Sequence, residues 1–472
     1  MRITKLIIDN FRCFDHLEVD LCANGAAERP NGKGGITVLV AANGQGKTAI
    51  LEAIKYLLAI FISRFPKISV PRFKDSDYLV KWERQESRVE PEFTQMPKAP
   101  YMRLWAEAEF QNEKHDGQCS SVEWDISQKR DKSNRTNSKL PAFIGTKKIN
   151  EQADWFIDHD NQEQPLMLPV MAYYNTERAV IRNKPERRRG FQKAFNRYEA
   201  YAGALDGGLN YKKTIEWLCF LEDKQRREKE AVRDWDYQTL EQRTIQLAIE
   251  KMLPGFKNLR TITKPLDLIV DIVDDNTFKT CRIDSQLSDG YKIVLVLVLD
   301  IVSRILEANA CIKGSTPEQL LQAEGIVLID EVDLHLHPSW QQRILGDLQR
   351  TFPNIQFIVT THSPQALSSV PKECVRIIDK GQVFDASIQT QGVESQDILT
   401  QIFGTDSAPQ QDEFVQLLDQ YAKLEAAGEA DSPSGRAIYE ALVKHFGEQY
   451  APLQRIEIHR KFMAKKRGGF NA

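Results

Sequence analysis

The chain has 472 residues, 42% of them hydrophobic and 27% charged, the proportions of an ordinary soluble globular protein with length for a large core and about three domains. Its formal net charge of -3 excludes indiscriminate nucleic-acid binding, which rests on a basic excess, and leaves room only for a local basic patch.

The opening MRITKLIIDNFRCF interrupts each apolar run with Arg2, Lys5, Asp9 or Arg12, so no secretory leader is expected. The longest strongly apolar run, Ile293 to Leu299, is too short to span a bilayer. Seven cysteines without a C-x-x-C pair fit thiols in a reducing compartment, and a cytoplasmic location without membrane contact is the expectation. In chain order, ITKLIID and HLEVDL read as two short strands split by a turn at Phe11 to Asp15. A polar glycine-rich loop then leads to the β-branched run ITVLV, a glycine turn and the apolar helix TAILEAIKYLLAIFI. Residues 111–164 are polar and patternless and read as a long exposed insertion. From about 190 to 253, charges of both signs alternate with apolar residues at helical spacing, which fits either a projecting helical arm or a solvated helical subdomain. Strands return at LDLIVDIV and FKTCRI. KIVLVLVLDIVSRIL is apolar on nearly all faces and reads as a buried helix, and GIVLID and IQFIVTT read as strands of a parallel sheet. The tail from about 405 reads as helical and polar, with a frayed basic end, HRKFMAKKR.

Four short motifs carry the chemistry. AANGQGKT, residues 41–48, matches the P-loop pattern except for Ala41 at the first glycine. Asn43, Gly44, Gln45 and Gly46 form a tight turn whose backbone N–H groups can cradle phosphate. Lys47 is placed to reach the β and γ phosphates and the Thr48 hydroxyl to ligate Mg²⁺, with the helix N-terminus adding favourable partial charge. QLSDGYK offers Ser288, Asp289 and Gly290 at the entrance of a long helix, either as an ordinary helix-entry turn or as a phosphate-contacting motif. The strand Ile326 to Ile329 delivers Asp330 and Glu331 to its carboxyl end, where ligands sit in open α/β sheets. Asp330 then serves Mg²⁺, and Glu331 polarises the attacking water as general base. IVTTHSP ends at His362, an imidazole suited to the γ-phosphate.

The stretch IDEVDLHLHPSW has a second reading as a metal site, built from Asp330, Glu331, Asp333, His335 and His337. Zinc is disfavoured because Pro338 ends the loop and the two histidines lack a second ligand pair at standard spacing. Pro338 instead reads as the start of a helix with Trp340, Ile344, Leu345 and Leu348 on one face.

The order P-loop, LSDG, Asp-Glu, His resembles the ABC-type ATPases, and the opening ITKLIIDNFRCF is similar to that of their SMC- and RecF-like branch. The resemblance covers residues 1 to about 60 and 280 to 400, and the middle only loosely. It implies an α/β fold: an ABC-type P-loop ATPase head with an N-terminal β-rich lobe, a helical insertion and a helical C-terminal tail. The corresponding domains are 1–175, 176–262, 263–403 and 404–472. It also implies ATP with Mg²⁺, Arg12 near the nucleotide, and two heads sandwiching two ATP molecules. Ser288, Asp289 and Gly290 would then act in trans, while Asp333, His335 and His337 fall in the D-loop facing the other head. The spellings DEVDLHLHP and TTHSP are most similar to ATPases of bacterial defence systems, the overcoming-lysogenization-defect nucleases and the PtuA-type ATPases of Septu, some of them retron-associated. About 110 residues after His362 without a D-x-D pair leave no space for a Toprim nuclease. The PtuA-type resemblance therefore implies a separate HNH nuclease partner and possible contact with DNA or a retron-type RNA/DNA. A RecF-like DNA-repair ATPase is the alternative; a transporter subunit is disfavoured by the NFR opening. No Q-loop glutamine is placed, and Arg178 is a substitute or an ordinary surface arginine. The basic run at 182–191 is a DNA contact or a solvated face.

Overall fold

Alternation of apolar and polar residues builds the N-terminal lobe. Met102, Leu104, Ala106, Ala108 and Phe110 are buried along one strand, and Val122 and Trp124 along the next, the period of two that a half-buried sheet requires. The computed structural model describes residues 1–22, 35–85, 92–95, 98–111, 119–129, 144–164, 166–179, 196–209, 211–263, 266–274, 277–404, 412–447 and 449–468. The basic run at 182–191 and the glycine-rich loop after Cys22 lie outside them.

In chain order the strands are β1 (Arg2–Phe11), β2 (Phe14–Asp20), β3 (Ile36–Val40), β4 (Trp82–Gln85) and β5 (Glu92–Gln95). They continue with β6 (Tyr101–Gln111), β7 (Cys119–Lys129), β8 (Val170–Tyr174), β9 (Phe256–Thr263) and β10 (Leu266–Asp274). The last five are β11 (Thr277–Arg282), β12 (Gly325–Ile329), β13 (Ile355–Thr360), β14 (Val375–Asp379) and β15 (Gln382–Asp385). A six-stranded sheet runs β15-β14-β3-β13-β12-β8, parallel except for the β14–β15 hairpin. Leu328 pairs with Ile358 on one side and Tyr173 on the other. Every residue of β3, β8, β12 and β13 is buried, as expected for parallel strands covered on both faces. The carboxyl ends of these four strands release the P-loop, the Asp330–Glu331 pair, the segment bearing His362 and the turn bearing Arg178. The helix Lys47–Ile62 packs in one core with the antiparallel sheet β2-β1-β6-β7 and with β8, β12 and β13. This is the α/β P-loop head, with its N-terminal β-rich lobe, that the resemblance implied.

The patternless reading of 111–164 needs correction. Cys119–Lys129 is a full strand paired with β6, and Lys147–Asn161 is a helix against the Lys47–Ile62 helix. The signal was the alternation of Val122, Trp124 and Ile126, hidden among charges. Trp124 is fully buried and its indole N–H donates to the Leu57 carbonyl at 3.2 Å; burial of an aromatic of this size stabilises by about 3–5 kcal/mol relative to alanine. The helical region contains Tyr211–Val232 and Leu240–Met252. It is followed by the sheet β11-β10-β9, of which β9 was read as helical insertion. The helix expected from Pro338 is broken in two, Pro338–Gln341 and Ile344–Thr351; Ile344, Leu345 and Leu348 are buried, whereas Trp340 lies outside that core.

The chain divides into two compact units, Met1–Ile398 and Leu399–Ala472. The second holds the helices Glu413–Ala427, Pro433–Phe446 and Ala451–Gly468. Tyr421, Ala430, Leu442 and Leu453 form its own small core, so the helices of this unit are packed on one another, while the side chains of 461–467 in the basic end lie outside the described residues. No helix among the described residues is long and apolar enough to cross a membrane.

Candidate nucleotide-binding and hydrolysis site

β3 ends at Val40 and the chain turns through Ala41 to Gly46 into the helix Lys47–Ile62. Gly44 and Gly46 have φ of 79° and 91°, a conformation open to glycine at little cost. A Cβ on Gly46 would also lie 2.4 Å from the Phe14 ring and 2.5 Å from the Cys13 sulfur, so the N-terminal lobe presses directly on the loop. Ala41 is buried and outside the positive-φ set, which is why alanine serves at that position. Lys47 is buried and its Nζ donates to the Ala41 carbonyl at 2.8 Å. Burial lowers its pKa, opposed by Asp330, Glu331 and Asp333.

Asp330 is the junction of the site. It is 3% exposed, its Oδ2 accepts from the Thr48 hydroxyl at 2.8 Å and its Oδ1 from the Thr360 hydroxyl at 2.6 Å. Hydrogen bonds to an ionised acceptor of this kind are each worth about 1.5–3 kcal/mol. The Thr360 hydroxyl also accepts the Glu331 N–H at 2.7 Å. Glu331 has φ of 49°, uncommon for a residue with a side chain. Arg178 is 1% exposed and donates to the carbonyls of Asn175 at 3.0 Å, of Asp330 and of Glu331. It is therefore not a surface arginine. Burial lowers its pKa to about 10, leaving it protonated at neutral pH.

The remaining residues of the opening cluster separate. Asp333 accepts from the Thr361 hydroxyl at 2.5 Å. His337 is exposed and its Nδ1 accepts from the Ser339 N–H at 3.3 Å, capping the short helix that follows. His335 is exposed with φ of 60°. Among the described residues no three His, Cys, Asp or Glu side chains are arranged to hold a metal ion. Ser288 sits at the N-cap of the helix Asp289–Asn309 without making a capping bond, and it is exposed, as is Asp289. A Cβ on Gly290 would lie 2.9 Å from the His335 carbonyl oxygen, so the LSDG turn and the D-loop abut within one chain. His362 is half-buried just past the end of β13.

Arg12, one residue before the Cys13 that packs on Gly46, is held by two carboxylates. Its Nε donates to Asp77 at 3.0 Å and its guanidinium also pairs with Glu52, while Tyr56 donates to the other Asp77 oxygen at 2.9 Å. Its described contacts thus tie β1 to the Lys47–Ile62 helix. Beside the P-loop lies an open cleft of about 790 Å³, lined among others by Phe14, His16, Gly44, Gln45 and Phe384. The Gln45 Oε1 accepts the Lys380 N–H at 3.0 Å, holding the β14–β15 turn to the loop. Thr360, Thr361 and Arg178's carbonyl contacts were not anticipated. The paired threonines of IVTTHSP were a signal, being polar residues at the end of an otherwise apolar strand.

A hydroxyl and a carboxylate in contact, beside a glycine turn and a buried lysine, supply the hard oxygen ligands that Mg²⁺ takes alongside substrate phosphates; Thr48 and Asp330 would hold it. Residues 5–255, more than half of the chain, match the AAA domain family. The chain belongs to that family. It is similar to a protein of Escherichia coli named Retron Ec83 probable ATPase, 40% identical over 204 residues that cover 43% of this chain and 36% of that one. It is also similar to one of Vibrio cholerae serotype O1 biovar El Tor named Retron Vc95 probable ATPase, 26% identical over 457 residues covering 87% and 82%. Septu protein PtuA of Bacillus mycoides is 40% identical over 111 residues, covering 24% and 14%. The match thus spans little more than a third of the Escherichia coli relative's length. Among solved structures, an SMC head bound to the C-winged helix domain of ScpA covers 82% of this chain and 98% of its own, at 17% identity and a TM-score of 0.40.

Proposed function

We propose that this AAA-domain chain is the ATP-binding and ATP-hydrolysing subunit of an anti-phage defence complex of the retron and Septu kind. Two copies close head to head around ATP and gate a separate HNH nuclease. The observation that carries the ATPase reading is the Thr48–Asp330 hydrogen bond, which brings the P-loop hydroxyl and the strand-end carboxylate together, with Glu331 next in the chain. The relatives named as retron ATPases and Septu PtuA support the defence setting.

In this reading the loop N–H groups of 43–46 and Lys47 bind the phosphates, and Thr48 and Asp330 would hold Mg²⁺, which would supply charge stabilisation to the phosphates when bound. Glu331 takes the proton of the attacking water, and His362 orients that water toward the γ-phosphate. Phosphoryl transfer needs mainly positioning and charge stabilisation, so a few groups at strand ends suffice. The exposed, uncapped Ser288 hydroxyl supports a role toward a second copy, with Asp289 and Gly290 beside it and Asp333, His335 and His337 in the facing loop.

The test is native mass with and without ATP, on the chain purified with any product of an adjoining HNH-nuclease reading frame. ATP-dependent doubling and co-purification of that product are expected. A mass fixed at one copy under both conditions overturns head closure. Lack of both the reading frame and the partner replaces the nuclease-gating role with RecF-like repair.

A further inference from the structure

The peptide plane between Asp330 and Glu331 is held at both ends. Its carbonyl oxygen accepts from Arg178, and its N–H donates to the Thr360 hydroxyl at 2.7 Å. The next carbonyl, that of Glu331, accepts from the second terminal nitrogen of Arg178 and from the Leu334 N–H at 2.9 Å. The planar guanidinium therefore bridges two consecutive carbonyls across a residue whose φ is 49°. An unrestrained glutamate would leave this left-handed conformation for a right-handed or extended one, and its carboxylate would move with the backbone.

Arg178 forms no described ion pair, although it is 1% exposed. Asp330, Asp333 and Glu331 supply only longer-range attraction. A buried cation lacking a carboxylate in contact is a poor choice for stability alone. What the side chain does supply is a rigid fork matched to two acceptors, which lysine's single point charge lacks.

We propose that Arg178 is a positioning residue for hydrolysis: with Thr360 it locks the Glu331 backbone in the left-handed conformation and so fixes the general base. It acts through Glu331, since its described hydrogen bonds all go to backbone carbonyls. The inference rests on the ATPase reading above, in which Glu331 is the base.

The experiment compares Arg178→Ala, Arg178→Lys, Thr360→Val and Thr360→Ser in the full chain. It measures kcat, KM, affinity for a fluorescent ATP analogue and the midpoint of thermal unfolding. Arg178→Ala and Arg178→Lys are expected to lower kcat about thirtyfold or more while analogue affinity stays within about threefold of the parent. Thr360→Ser, which keeps the hydroxyl, is expected to retain kcat, and Thr360→Val to lose it. Should Arg178→Ala fail to fold, the lysine variant and the two threonine variants still decide. A lower unfolding midpoint with kcat per nucleotide-binding chain unchanged in Arg178→Lys and Thr360→Val overturns the proposal. If instead the parent hydrolyses ATP no faster than Glu331→Gln, the ATPase reading itself fails, and the positioning role with it.

Discussion

The hydroxyl of Thr48 donates a 2.8 Å hydrogen bond to the carboxylate of Asp330, joining residues 282 positions apart. β3 and β12 are not neighbours in the sheet; β13 lies between them. The two side chains meet because both strands point their carboxyl ends to the same edge, and β13 adds Thr360 to the same carboxylate.

Lys47→Ala is expected to abolish ATP binding at micromolar nucleotide. Loss of one charge-assisted phosphate contact amounts to about 1.5–3 kcal/mol, a tenfold to hundredfold weakening, before the loop rearranges around the lost Ala41 contact. Equilibrium binding of a fluorescent ATP analogue checks this. Affinity equal to the parent's would remove Lys47 from the phosphate site.

Glu331→Gln keeps the size and the backbone contacts of residue 331 and removes the base. It is expected to bind ATP normally and to slow hydrolysis about a hundredfold or more. Retained, unhydrolysed nucleotide after gel filtration is the readout. Hydrolysis at the parent rate would falsify the assignment of Glu331.

Ser288→Arg places a long cation at an exposed helix entrance without disturbing the buried core of the head. Nucleotide affinity of the single chain is expected to persist, while hydrolysis falls to the background level and no longer rises with protein concentration. Unchanged, concentration-independent turnover would mean that the LSDG turn does not act on a second copy.

Asp271 gives a prediction in acid. Hydrogen bonds from Arg260, then Thr280 and Asn258, hold its carboxyl at about 2, below the unfolded value of about 3.9. A depressed carboxyl pKa contributes stability that is complete above the unfolded value and is lost as pH falls from there through about 2. Asp271→Asn should therefore lower stability at neutral pH and flatten the acid slope of unfolding between about pH 4 and 2. Denaturant melts at several pH values measure both. Parallel slopes for the two proteins would show that the β9–β10–β11 cluster does not carry the effect.

How far the sequence could be read follows from where each signal lies. Continuous apolar runs such as Gly325–Ile329 and Ile355–Thr360 announced buried parallel strands, and their ends announced Asp330, Glu331 and His362. β7 was obscured because Val122, Trp124 and Ile126 alternate with charged and hydroxyl residues, so average polarity masked the period. β9, FKNLRTIT, was lost for a similar reason beside a long helical pattern. Arg178 stayed ambiguous because an arginine before a basic run reads as surface. Only the register of β8 beside β12, Ile329 opposite Tyr174, sets its guanidinium over the Asp330 and Glu331 carbonyls.

By itself the sequence determined the local devices: a glycine turn before an apolar helix, an acidic pair after an apolar strand, and the spacing of LSDG between them. These depend on backbone propensity and hydrophobic period over a few residues. The tertiary structure alone decided which polar groups meet. It split IDEVDLHLHP into a buried junction at Asp330, a Thr361 partner at Asp333 and exposed histidines at 335 and 337. It also turned Arg12 toward Asp77 and Glu52. Such pairings are set by strand order and burial across hundreds of positions, where a polar group must find a partner or remain in water.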